Sequence, residues 1–187
     1  MRIISGNFKG KKILEPKDKE TRPLKDLTKE SIFNIINHSN KFSIDLEKSN
    51  VLDLFSGTGS FGLECLSRGV KQVTFVENYL EILPILKKNL LNLKSINNYT
   101  ILEKDITKNL NFLENLKQFD IIFLDPPYKE NEIDNILINI FKQNVLNPSG
   151  IMIIHRHKNK KDNFFEKFKI IEEKKYGISK IIFGKFI

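Results

Sequence analysis

From residue 50 onward the chain alternates short apolar runs with segments of helical period, and this alternation restricts the fold more than any other feature. Val51-Leu52-Asp53-Leu54, Val73-Thr74-Phe75-Val76, Tyr99-Thr100-Ile101-Leu102, Ile121-Ile122-Phe123-Leu124 and Ile151-Met152-Ile153-Ile154 read as strands. Between them lie a helix through Leu63 and Leu66, a face of Leu83, Leu86, Leu90 and Leu93, and a short helix lined by Ile106, Leu110 and Leu113. Ile133, Ile136, Leu137, Ile140 and Phe141 then follow the i, i+3, i+4, i+7, i+8 pattern of a buried helix face. Strands joined through helices form a parallel sheet with right-handed crossovers and helices on both faces. Phe168–Ile171 and Ile181–Phe186, joined through Tyr176-Gly177, are too close for a long crossover, so one of them is expected to run antiparallel. The expected fold is α/β: a seven-stranded, mostly parallel Rossmann-like sheet with one antiparallel strand.

Residues 1–49 read as an N-terminal extension of the same domain, ahead of a core over 50–187. Arg2-Ile3-Ile4 and Lys11-Lys12-Ile13-Leu14 suggest a β-hairpin bracketed by Gly6 and Gly10. A helix is expected to follow, with Leu27, Ile32, Ile35 and Ile36 inward and Lys25, Lys29 and Asn34 on the polar side. With 187 residues, one domain is the simplest reading. No apolar run approaches a membrane span, and the apolar part of Met1–Gly6 is too short for a signal peptide. A single cysteine, Cys65, excludes a disulfide framework or a cysteine metal cluster, and a cytoplasmic protein without metal is expected. The net charge of +8 points to a polyanionic partner, nucleic acid first.

The chemistry-bearing residues fall where the strands end. Asp53-Leu54-Phe55-Ser56-Gly57-Thr58-Gly59-Ser60-Phe61-Gly62 holds G-x-G-x-x-G at a strand-to-helix junction, where glycines let a ligand approach the backbone. Dinucleotide and S-adenosylmethionine enzymes share that pattern. Asp53 favours the second, because a carboxylate is awkward beside a pyrophosphate and useful beside a cationic amino-acid moiety. Glu77, after the second strand, is placed to accept from ribose hydroxyls. Asp105, after the third strand, either reaches an adenine amino group or caps a helix over 106–116. Asp125-Pro126-Pro127-Tyr128 leaves the fourth strand as a rigid lip of carbonyls, a carboxylate and a ring. Such a lip suits a planar molecule bearing an amino group. His38, His155 and His157 read as ordinary surface or strand-end residues.

These features in this order resemble class I S-adenosylmethionine-dependent methyltransferases acting on an exocyclic amine. Arg2-Ile3-Ile4-Ser5-Gly6, Lys9-Gly10-Lys11, Thr21-Arg22-Pro23 and Lys29-Glu30-Ser31-Ile32-Phe33-Asn34 sharpen this. With Asp53 through Gly59 and Leu66-Ser67-Arg68-Gly69, they closely resemble the bacterial 16S rRNA (guanine-N2)-methyltransferase family called RsmD. The resemblance spans essentially the whole chain. It implies S-adenosyl-L-methionine as cofactor, with Asp53, Phe55, Gly57, Gly59, Glu77 and Asp105 around it. It implies that Asp125, Pro126, Pro127 and Tyr128 hold the guanine, Tyr128 by stacking. It also implies that the substrate is one guanine of 16S rRNA in the small ribosomal subunit or its assembly intermediate, met by Arg2, Lys9, Lys11, Lys12, Arg22 and Lys25. The chain departs from the family at two places: His155-Arg156-His157 stands where relatives carry an acid, and Leu27 where they tend to carry a basic residue. Rival readings are an amino methyltransferase for adenine or protein glutamine, a non-catalytic RNA-binding assembly factor, and a nicotinamide dehydrogenase.

Overall fold

Strands Asn50–Leu54 (β1), Gln72–Val76 (β2), Tyr99–Leu102 (β3), Phe119–Leu124 (β4), Leu146–His157 (β5), Phe168–Tyr176 (β6) and Ser179–Phe186 (β7) form one sheet in the order β3-β2-β1-β4-β5-β7-β6. The computed structural model describes residues 1–16, 24–94, 96–108, 110–114, 116–127 and 133–187. β1 to β5 pair in parallel, and β7 runs antiparallel to both β5 and β6. The helices among the described residues are Asp26–His38 (α1), Ser60–Ser67 (α2), Leu83–Asn92 (α3) and Ile133–Lys142 (α4). The expected class and strand count hold. The fifth strand is longer than the Ile151–Ile154 run that announced it, extending from Leu146 to His157. The short helix expected around Ile106–Leu113 shrinks to a single 3₁₀ turn at Asn111–Leu113, although all three apolar residues are buried.

Strand side chains alternate between two cores, as a pleat of period two requires. Val51, Phe75, Ile121, Phe123, Ile153 and Phe183 pack beneath α1, α2 and α3. Leu52, Leu54, Val76, Ile122, Leu124 and Ile154 pack on the opposite side against Ile133, Ile136, Leu137 and Ile140 of α4. Strand order reverses between β1 and β4, where successive crossovers leave in opposite directions. A crevice opens there at the carboxyl ends of the strands, the usual ligand position of an open α/β sheet.

The N-terminal segment is built into the first core. Ile3, Ile13, Leu24, Ile32, Phe33 and Ile36 share one buried cluster with Phe61, Phe75 and Phe123. The rings of Phe33, Phe61 and Phe123 form a stack, with centroids 5.3 and 4.1 Å apart, that joins α1 to α2 and β4. The hairpin is more tightly turned than the apolar runs suggested. One antiparallel bridge, Arg2 to Lys12, carries the pairing, helped by the bond from Ile3 N–H to the Lys11 carbonyl at 2.9 Å. Gly6 cannot be replaced by a larger residue there. Its φ is +81°, and an added Cβ would lie 1.8 Å from the Ser67 carbonyl oxygen.

The inward and outward faces of α1 differ from the expectation at two residues. Leu27 is 69% exposed, whereas Lys29 is fully buried. The Lys29 ammonium donates to the Arg2 carbonyl at 2.7 Å and the Ser60 hydroxyl at 3.3 Å, and lies 3.7 Å from the Glu64 carboxylate. Glu64, also fully buried, accepts from the backbone N–H groups of Ile4 at 2.7 Å and Ser5 at 2.9 Å, and from Arg68. Burial pulls the Lys29 ammonium below its ordinary value, while the Glu64 charge opposes that. The partner that draws Lys29 inward lies 35 residues away in sequence, outside the reach of helical periodicity.

Candidate active site

The glycine loop forms as its residues require. Phe55, Gly57 and Gly59 take positive φ values of 58°, 54° and 82°, and Gly59 N-caps α2. Gly62 answers a different need. A Cβ there would come within 2.2 Å of the Phe75 ring and 3.0 Å of the Asp53 carboxylate, so only glycine lets α2 lie this close to β1 and β2. That closeness brings the Gly62 N–H to Asp53 Oδ2 at 3.0 Å. Asp53 is buried. Burial pushes its carboxyl well above the usual carboxylate range, the Gly62 bond opposes this, and the charges of Asp125 and Glu77 add to it.

Glu77 holds the loop from the other side. Its Oε2 accepts from Gly57 N–H at 2.8 Å, and its Oε1 accepts from Asn78 and Tyr79 N–H at 2.8 and 2.9 Å. A carboxylate has about four acceptor positions. Three backbone bonds leave Oε2 with room for a hydroxyl. Asp105 sits beyond β3 and closes a turn, accepting from the backbone and side chain of Thr107 at 3.0 and 2.7 Å. Among the described residues no helix starts at Asp105, and residues 106–108 form a turn. Thr107 holds its carboxylate below the ordinary value.

Opposite the glycine loop, Asp125 leaves β4 on the same face of the sheet as Asp53. Its N–H reaches the Leu54 carbonyl at 3.3 Å, which ties the lip to β1. Leu24, Asp53, Phe55, Ser56, Gly57, Thr58, Ser60, Phe61, Phe123 and Asp125 line one pocket in the crevice. Pro126 is buried and Pro127 exposed, which gives the lip a fixed root and a free edge. Tyr128 and Arg22, both expected to act here, lie outside the described residues. Three carboxylates converging on a glycine loop fit a cationic nucleoside cofactor, because a positive ligand relieves their mutual repulsion.

His155 is the residue of this crevice that sequence reasoning missed. It is buried, not an ordinary strand-end residue: Nδ1 lies 2.7 Å from Asp125 Oδ1 and Nε2 lies 2.9 Å from Ser179 Oγ. Burial works against a charged imidazole. The Asp125 carboxylate outweighs it by charge and hydrogen bond, and holds His155 above its ordinary value despite Arg156. The acid that the resemblance leads one to expect where His155-Arg156-His157 stands was the available signal. Arg156 points to the other face and pairs in the interior with Asp162, with Nε 3.0 Å from Oδ1.

Of the basic residues expected to meet RNA, Arg2, Lys9, Lys11, Lys12 and Lys25 are all exposed on or beside the N-terminal turn. Two of them have local partners. Arg2 is 3.6 Å from Asp26, and Lys11 donates to the Asn92 carbonyl at 3.0 Å while lying 4.8 Å from the Phe8 ring centre.

Residues 1–185 match the family model described as Conserved hypothetical protein 95. A Haemophilus influenzae protein named Ribosomal RNA small subunit methyltransferase D is 32% identical, over 95% of this chain and 90% of its own length. A solved Haemophilus influenzae structure, provisionally described as a methylase, superposes with a TM-score of 0.75 at 31% identity, covering 98% of this chain and 96% of that one. An Escherichia coli structure provisionally described as a methyltransferase shares the fold with a TM-score of 0.82 at 23% identity, over 100% of this chain and 97% of that one.

Proposed function

This chain belongs to the RsmD family, and we propose that it transfers a methyl group from S-adenosylmethionine to the exocyclic N2 amine of one guanine in small-subunit ribosomal RNA. The observation that carries the reading is the placement of Asp125 across one crevice from Asp53 and the glycine loop. A donor of positive charge and an acceptor amine therefore have adjoining sites. When bound, S-adenosylmethionine supplies an electrophilic methyl group whose sulfonium departs as a neutral thioether.

The chain's own work is positioning. Asp53 and the loop N–H groups receive the amino-acid part of the cofactor, and Glu77 Oε2 accepts from its ribose. Asp125 and the Pro126 carbonyl accept the two N–H bonds of the guanine amine, which returns electron density to a nitrogen otherwise delocalised into the ring. Tyr128 stacks on the base. Holding two reactants in line supplies on the order of 7–11 kcal/mol in the best intramolecular cases. The base leaves its stack at a cost of about a few kcal/mol, of which aromatic stacking offsets roughly 1–3. Arg2, Lys9, Lys11, Lys12, Arg22 and Lys25 contact phosphates of the RNA, in a particle assembled or still assembling.

Labelled S-adenosylmethionine incubated with small-subunit particles, protein-free rRNA, DNA and a protein extract tests this. After digestion, N2-methylguanine confined to small-subunit RNA is expected. Label in adenine or glutamine would replace the substrate, and tight RNA binding without label would replace the enzyme with an assembly factor.

A further inference from the structure

Asp125 is held in a line that three neighbouring strands assemble. β4, β5 and β7 are adjacent in the sheet, and Asp125, His155 and Ser179 lie on the same face because each is an even number of residues from Phe123, Ile153 and Phe183. His155 aligns with Ile181 on antiparallel β7, and Ser179 follows one pleat further out. The imidazole therefore bridges a carboxylate at 2.7 Å on one nitrogen and a hydroxyl at 2.9 Å on the other. All three groups are at least partly shielded from water. A buried imidazole needs a partner on each nitrogen, and here one of the two is the carboxylate of the lip.

We propose that His155 is a positioning residue for amine methylation: it fixes Asp125 through Oδ1 and leaves Oδ2 for the substrate amine. The proposal rests on the methyltransferase reading above. The groups that bear on the imidazole among the described residues are Asp125 beyond β4, Ser179 on β7 and Arg156 on its own strand, with Asp53 of β1 behind Asp125. While His155 is protonated, its charge cancels that of Asp125, and the carboxylate is a poor acceptor for a proton leaving the amine. When the imidazolium gives up its proton, Nδ1–H still holds Asp125, Nε2 accepts from the Ser179 hydroxyl, and the carboxylate bears its full charge. In the transfer, the nitrogen lone pair becomes the N–C bond and the S–C pair stays on sulfur. The proton released from nitrogen goes to Asp125.

Two measurements test this. The first is kcat/KM against pH for the wild type, His155→Gln and Ser179→Ala, with small-subunit particles and labelled S-adenosylmethionine. Wild-type activity should rise about tenfold per pH unit up to an inflection above the ordinary histidine value of about 6.5. His155→Gln keeps a donor to Asp125; it should lose that inflection and about tenfold in kcat with the cofactor KM unchanged. Ser179→Ala should keep the inflection but move it to lower pH, and it serves if the glutamine variant does not fold. The second measurement is an NMR titration of the His155 ring in the wild type and in Asp125→Asn, which should lower its titration point. A uniform loss of rate with the wild-type inflection retained in His155→Gln would reduce His155 to packing and overturn the proposal, as would an unchanged ring titration in Asp125→Asn. Absence of methyl transfer by the wild type at every pH would instead overturn the methyltransferase reading. The ring titration would then decide the Asp125–His155 linkage alone.

Discussion

Changing Glu64 to Gln removes one charge from a site where two were buried together. Lys29 and Glu64 are both fully inaccessible, and the Glu64 carboxylate also serves Ile4 N–H, Ser5 N–H and Arg68. Gln has nearly the same volume and keeps one acceptor oxygen. Packing is therefore conserved, while the Lys29 ammonium loses its counter-ion and one backbone N–H loses its partner. Breaking a buried pair by removing one member costs about 3–5 kcal/mol. For a chain of this length each kcal/mol lowers Tm by roughly 2–4 °C, so a fall of roughly 6–20 °C is expected. Circular dichroism gives the Tm, and hydrogen exchange at Ile4 and Ser5 should report the loss first, because their amides face Glu64. Adding Lys29→Met removes the stranded cation and should recover at least about 1 kcal/mol through coupling between adjacent sites. A Tm within about 2 °C of the wild type, with Ile4 and Ser5 exchanging as slowly as before, would refute the reasoning.

Three further outcomes follow from the crevice. Gly62→Ala places a methyl group 2.2 Å from the Phe75 ring; overpacking of about 1–3 kcal/mol is expected, with weaker cofactor binding because the Gly62–Asp53 bond is displaced, read by thermal melts and calorimetry. Because His155 is raised by Asp125, their pairing stabilises the fold fully below the unfolded histidine value of about 6.5 and is lost as pH rises through the higher folded value; denaturant titrations from pH 6 to 9 should show this decline in the wild type and not in Asp125→Asn. Asp53 sits well above the carboxylate range, so binding a cationic cofactor should expel a proton; S-adenosylmethionine affinity should strengthen with pH, and the binding enthalpy should vary with buffer ionisation, less so for S-adenosylhomocysteine.

What could be read ahead of the structure was whatever lies close together along the chain. The glycine loop, Asp53 and the lip at Asp125 are each written within a few consecutive residues, and β-strand runs such as Ile121–Leu124 announce themselves by composition. Relations across strands could not be read so directly. His155 looks like any polar residue closing a strand until β7 folds back and sets Ser179 beside it. Lys29 looks like a solvent-facing lysine until Glu64 arrives from another helix, and the exposure of Leu27 follows from the same rotation of α1. Asp105 closes a local turn on Thr107 instead of capping a helix, and of the buried apolar residues after it Leu113 sits in a 3₁₀ turn.

β7 is written after β6 yet lies between β5 and β6. β6 and β7 form a local antiparallel hairpin closed at Tyr176 and Ser179, and β7 alone of the two pairs with β5, so β6 joins the sheet only through β7. The same insertion delivers Ser179 to His155. The crevice is thereby tied to the C-terminal hairpin, and a chain lacking β7 would keep its glycine loop and its lip while the His155 imidazole lost the hydroxyl that steadies its far nitrogen.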